Sequence, residues 1–369
     1  MPLFYGKKRD DLSSDNCKIY ELSMEHARKI REHTTELRAF VRGVEHIPEV
    51  MIVGLISSYD FMLSRLLTCV FTQKPEIVLT SDRKISYNEL IAYASIDDVR
   101  KIIIDKDVES IIRESHHSQF DIMESKFGLN LRSDLAVWPA FVELCERRNL
   151  FTHTGGVVSQ QYLTNCGNVK YDAKDLSVGQ RLAVDSDYFR SAVKVIFEIG
   201  VKLCYVLWRK FDSTNVDKAD LTLHEACYKL VEDGHYHLAE ILLGFGVEVL
   251  RVRRGQDRTR RMMIVNLANA IRLLGQKDRA AAILAAEDWS ATDDTFNVCV
   301  AAIHEDYTNV ATLIRKLGQN GGISAGEYRI WPVFRGLREN PEIVKAFRDV
   351  FSEELVTSTT EPPPPSKLN

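Results

Sequence analysis

Pro139-Ala-Phe-Val-Glu-Leu-Cys-Glu-Arg-Arg-Asn-Leu-Phe-Thr-His-Thr-Gly-Gly156 is the stretch on which the reading of this chain turns. Proline is tolerated in the first turn of a helix, and glycine is favoured just beyond the last. The stretch therefore reads as one helix with both ends marked. On a wheel, Phe141, Val142, Leu144, Cys145 and Phe151 share one broad face, and Glu143, Glu146 and Arg147 lie opposite. Arg147 then reads as an ordinary solvated arginine. Arg148 falls seven residues after Phe141 and three after Cys145, and Asn149 seven after Val142 and four after Cys145, which puts them on the inward stripe. His153 follows Asn149 by one turn, at the edge of that stripe. A cation on a buried face is costly unless it is paired or faces a cavity, so Arg148 is the anomaly of the segment.

Helical patterns surround this segment. Residues 24–45 carry Ala27, Ile30, Leu37, Phe40 and Val41 among charges and read as one helix. Residues 49–71 read as a second, apolar nearly all round and so central to its domain. On it Ser57, Asp60, Ser64 and Thr68 share a polar stripe. Residues 77–107 are irregular, with a short strand or turn entry at Ile77 and a helix start near Asn88. Helical patterns return over 106–127 and 187–211, and a loop of about thirty residues follows Gly156. The expected organisation is an N-terminal segment (1–23), a helical bundle (24–211), a polar linker (212–220), a helical-repeat module (221–355) and a disordered tail (356–369). In the module, Leu267 to Leu284 reads as a tetratricopeptide-like hairpin, with Gly275 in the turn and Ala268 and Ala281 allowing close packing. Weaker echoes surround Gly234 and Glu305, unevenly spaced. The fold class expected is all-α.

Composition narrows the functional classes. Net charge is only −4, with 45% hydrophobic and 27% charged residues, so any nucleic-acid contact must come from a local patch. The seven cysteines are scattered and never form a Cys-x-x-Cys pair, which reads as reduced thiols in the cytoplasm. The N-terminus has no apolar signal core, and the run Val50–Phe71 is broken by Asp60 and Arg65. No membrane association is expected. No Walker loop, Gly-x-Gly-x-x-Gly or Gly-x-Ser-x-Gly occurs. His116-His117 and His235-x-His237 lack the cysteine or helical partner histidine of a metal site, so neither a metal nor a cofactor is expected.

The spacing from Arg148 through Asn149 to His153, with four residues enclosed between the arginine and the histidine, resembles the HEPN superfamily. Its signature is an arginine, four to six residues and a histidine, with asparagine commonly following the arginine. The resemblance covers roughly residues 24–211. It extends to the all-helical setting, the late motif followed by a long helix, and the second helix with its polar residue.

The resemblance implies an endoribonuclease that needs no metal. The RNA 2′-OH attacks the adjacent phosphate and leaves a 2′,3′-cyclic phosphate and a 5′-OH. Histidine serves proton transfer near neutral pH, and arginine holds the growing phosphate charge through paired hydrogen bonds. His153 and Arg148 would fill these roles, Asn149 would orient the phosphate or the histidine, and Asp60 would anchor Arg148. At 100° per residue Arg148 and His153 lie ~140° apart on the helix, so a homodimer with facing copies is expected. Arg251, Arg253, Arg254, Arg258, Arg260 and Arg261 offer a further patch for RNA phosphates, or a solvated turn. By analogy with such nucleases, a protein partner or trigger would bind the C-terminal module, in a toxin or antiphage-defence setting. The alternative is a non-catalytic dimerising scaffold that binds a nucleotide or protein partner.

Overall fold

The computed structural model describes residues 7–9, 11, 19–78, 93–133, 135–250 and 257–355. With 73% of the described residues in helix and one two-residue strand pair among them, Lys7–Lys8 with Tyr20–Glu21, the class is all-α. The helix start read near Asn88, Arg251, Arg253, Arg254 and the tail 356–369 lie outside the described residues.

The helices are α1 (Met24–Gln73), α2 (Ile96–Ile112), α3 (His116–Phe127), α4 (Trp138–His153), α5 (Gln160–Asn168), α6 (Ser186–Phe211) and α7 (Val216–Glu232). There follow α8 (Tyr236–Gly244), α9 (Asp257–Leu273), α10 (Lys277–Ala285), α11 (Asp294–Ile303), α12 (Tyr307–Leu317), α13 (Ala325–Ile330) and α14 (Pro341–Phe351). Two compact units result. One comprises Met1–Phe61 and Ala136–Ile196, the other Met62–Leu135 and Phe197–Asn369. Of the residues read as a linker, 216–220 begin α7, where Ala219 and Asp220 are buried.

Some local features differ from the sequence reading. The two helices expected over 24–71 are one, α1, with Pro48 inside it. Proline there lacks an N–H to bond the carbonyl of Val44, a loss of about 3 kcal/mol that usually kinks or ends a helix. Glu49, the next residue, is pinned by Arg181 at 3.1 Å, and Ile52, Ile56 and Tyr59 beyond it are fully buried, so packing carries the helix through. The loop after Gly156 contains α5, capped by Ser159, whose hydroxyl accepts the Tyr162 N–H. In α10, Ala280 is fully buried, whereas Ala281 is only partly so. A step of one residue turns a helix face by 100°.

The first unit packs Tyr59 of α1 edge-on against Phe141 of α4, ring centroids 5.0 Å apart. Leu150, Val158, Tyr162, Cys166 and Leu182 form a second cluster under the end of α4. In the second unit Phe127 meets both Phe71 and Phe211 edge-on. Its C-terminal part is a run of antiparallel helices around Ala268, Ala280, Ala302 and Ala346. The turns at Gly234, Gly275 and Glu305 all take positive φ. By length and composition α1 alone among the described helices is apolar enough to cross a membrane, and one face of it is buried in protein.

Candidate functional site

Both ends of α4 are built as its sequence requires. Pro139 sits in the first turn. At the other end the Thr154 and Gly156 N–H groups both donate to the Leu150 carbonyl, and Gly155 and Gly156 take φ of 61° and 81°. A side chain at Gly156 would meet the Phe151 ring at 3.0 Å and the Leu182 carbonyl at 3.2 Å, so only glycine fits. The returning chain is tied down by the Leu182 N–H to the Gly156 carbonyl and the Val158 N–H to the Gln180 carbonyl.

Arg148 lies on the side of α4 that faces α1. One guanidinium nitrogen is 3.9 Å from an Asp60 carboxylate oxygen, and both side chains remain about one quarter exposed, at 24% and 25%. The Arg148 Nε is buried and has no hydrogen-bond partner among the described residues. A buried N–H left without an acceptor costs about 1–3 kcal/mol, and such a group calls for an explanation. The arginine's field reaches inward as well. Burial pushes the Cys145 thiol well above its usual range, and Arg148 opposes that shift.

Asn149 is partly buried and His153 is exposed at the last residue of the helix; neither side chain forms a hydrogen bond among the described residues. Arg148 and Asp60 are thus brought together, while His153 is not joined to Arg148 by any hydrogen bond or ion pair. Of the polar stripe on α1, Ser57 and Thr68 spend their hydroxyls on the carbonyls four residues back. Asp60 is the member that approaches the motif.

The reading of Arg147 as solvated is corrected. Its guanidinium is buried, 2.7 Å from Glu143, and stacks over the Tyr188 ring at 3.9 Å from its centre. Arg147 also donates to the Ala183 carbonyl at 3.1 Å. Glu143, only 2% exposed, accepts the hydroxyls of Tyr162 at 2.6 Å and Tyr188 at 2.8 Å. Burial raises both phenols, and the Glu143 charge adds to the rise. Burial works against the Arg147 charge, but Tyr188 and Glu143 more than offset it, so its pKa rises. The wheel failed here because α5 and α6 cover the face of α4 that would otherwise meet water. The signal was the Glu143–Arg147 pair at i, i+4, but nothing local told it from a surface pair.

The described arginines of the basic cluster are engaged within their own unit. Arg260 makes two hydrogen bonds to Glu287 at 2.7 and 2.6 Å, Arg258 pairs with Asp293 at 3.2 Å, and Arg261 donates to the Asp288 carbonyl at 2.9 Å. The sequence reading also missed a cavity of about 120 Å³ beside them, with His224, Tyr228, Asn266, Phe296 and Trp331 in its wall. The Asn266 amide donates to the His224 Nε2 at 2.8 Å, which leaves Nδ1 as the protonated nitrogen of the neutral ring. Burial lowers the His224 pKa to about 4. No three His, Cys, Asp or Glu side chains among the described residues could together hold a metal ion.

Compared with known proteins, the chain matches no family model, no curated protein and no solved structure.

Proposed function

We propose that the chain is an endoribonuclease of the HEPN type, acting on RNA by 2′-OH attack. The observation that carries this reading is Arg148: a cation set over an acid at 3.9 Å, about one quarter exposed, with a buried Nε–H that none of the described residues accepts. A phosphate would accept from the terminal N–H groups, and from the Nε–H once a small shift of the side chain exposes it.

In the proposed reaction, the 2′-oxygen bonds to phosphorus as its proton passes to a histidine. The bond to the 5′-oxygen then breaks, and that oxygen takes a proton from a histidine. His153 of one copy accepts and His153 of a second copy donates. Arg148 stabilises the pentavalent phosphate, Asn149 orients it, and Asp60 positions Arg148. The arginines of 251–261 play a lesser part, since Arg260 already satisfies Glu287. The setting would be a toxin or antiphage effector in the cytoplasm, and the tetratricopeptide-like module would take a partner or trigger.

The test is cleavage of end-labelled RNA in excess chelator by wild type and by His153→Ala. Cleavage lost only in the variant, with cyclic phosphate ends, supports the reading. No cleavage by wild type, in the tube or as Arg148-dependent growth arrest on expression, sinks it.

A second reading is a non-catalytic scaffold binding a small ligand or a protein. The cavity beside His224 favours it, with a polar pair set in an apolar wall.

A further inference from the structure

The first half of α1 carries a large apolar face that stands exposed among the described residues. Seven of its side chains follow a heptad. Ile30, Leu37, Val44 and Met51 repeat every seven residues, and His33, Phe40 and Ile47 follow the first three of them by three. Val41 flanks the stripe. The apolar members are exposed by between 45% and 69%. No Asp, Glu, Lys or Arg lies on the stripe; Arg31, Arg38 and Glu45 point to its rear. Contiguous apolar surface of this extent on a folded protein marks an interaction site.

We infer that this face pairs with the same face of a second copy, the two α1 helices running antiparallel. The pattern itself selects that occupant. In an antiparallel pair the two heptad positions meet crosswise, so residues whose numbers add to 77 oppose each other. Ile30 then meets the partner's Ile47, Leu37 meets the partner's Phe40, and His33 meets the partner's Val44. Every layer is closed by at least one aliphatic side chain, and the surface is its own complement, as a two-fold interface requires. A parallel pair would instead set His33 against His33. Seven side chains burying on the order of 100 Å² each cover roughly 700 Å² per copy, close to the ~800 Å² a side of a stable interface. His33 does not obstruct this, because its Nδ1 is already bonded to the Lys29 carbonyl at 2.9 Å. The pairing stands on α1 alone; its bearing on catalysis rests on the nuclease reading.

The test is sedimentation of the full chain across the micromolar range. Wild type is expected as a dimer. Leu37→Glu with Val44→Glu is expected as a monomer with unchanged far-ultraviolet circular dichroism, and Arg38→Glu, on the rear face, as a dimer. With Cys17 and Cys69 replaced by serine, Thr34→Cys plus Val41→Cys is expected to cross-link on oxidation, and Val41→Cys alone is not. Monomeric wild type, a dimeric double-glutamate variant, or cross-linking of Val41→Cys alone overturns the inference. So does wild type that stays monomeric and sediments with phosphatidylcholine–phosphatidylglycerol vesicles, which would give the face to a membrane. RNA cleavage is followed on the same samples: a dimer that does not cut keeps the pairing and removes the nuclease reading, and a monomer that cuts does the reverse.

Discussion

Arg147 and Arg148 are adjacent on one helix, and their surroundings differ in almost every respect. Arg147 is buried, paired at 2.7 Å, stacked on Tyr188 and bonded to a carbonyl. Arg148 is partly open, 3.9 Å from its acid, with a buried N–H that has no acceptor among the described residues. The Arg147 side holds α5 and α6 to α4; the Arg148 side leaves hydrogen-bonding capacity unused. A satisfied buried network specifies a structure, and an unsatisfied one beside solvent is available to a ligand.

The largest effect should come from Arg147→Ala. Removing it leaves Glu143 charged and buried, which costs about 3–5 kcal/mol. Chemical denaturation should show that loss; a midpoint within error of wild type would break the comparison. Next is Arg148→Ala, which should cut RNA cleavage by ~10²–10³-fold, about 2.7–4 kcal/mol in the barrier, with little change in thermal midpoint. If the variant loses stability as Arg147→Ala does, Arg148 is structural and the two sides are alike.

Smaller is the loss of one phenol. Tyr188→Phe should cost about 1 kcal/mol, because Glu143 keeps Tyr162 and Arg147 as donors. The same network predicts an alkaline limit. Both phenols titrate higher folded than unfolded, so above pH ~10 the unfolded chain loses protons that the folded one keeps, and stability falls as pH rises. Thermal midpoints between pH 9 and 11 should fall less steeply in Tyr162→Phe/Tyr188→Phe; equal slopes would detach the phenols from the stability of this side. Smallest in stability is Asp60→Asn. A partly exposed pair contributes at most ~1 kcal/mol, so its midpoint should barely move. Cleavage should drop on the order of tenfold, as Arg148 loses the group that positions it, and an unchanged rate would remove Asp60 from the site.

Much of the fold was legible because its signals are local. The turn at Gly275, the ends of α4 and the apolar faces of α6 and α9 follow from neighbouring residues alone. Pro48 misled because its penalty is local, whereas the contacts that carry the helix through it are not. The hairpin residue buried in α10 was missed by one position, since periodicity marks a face and cannot fix its phase to one residue. At the site, the inward placement of Arg148 and its approach to Asp60 were readable from two wheels. The Glu143–Arg147 network was not, because its partners Tyr162 and Tyr188 come from segments with no sequence mark tying them to α4.

The sequence by itself determined the helical class, the bounds of α4 and the set of residues on each of its faces, since backbone geometry and capping chemistry act over a few residues. Only the tertiary structure decided which of those faces meet protein and which stay open. Burial depends on what packs from afar, and so two neighbouring arginines that differ by one step of the helix came to opposite ends.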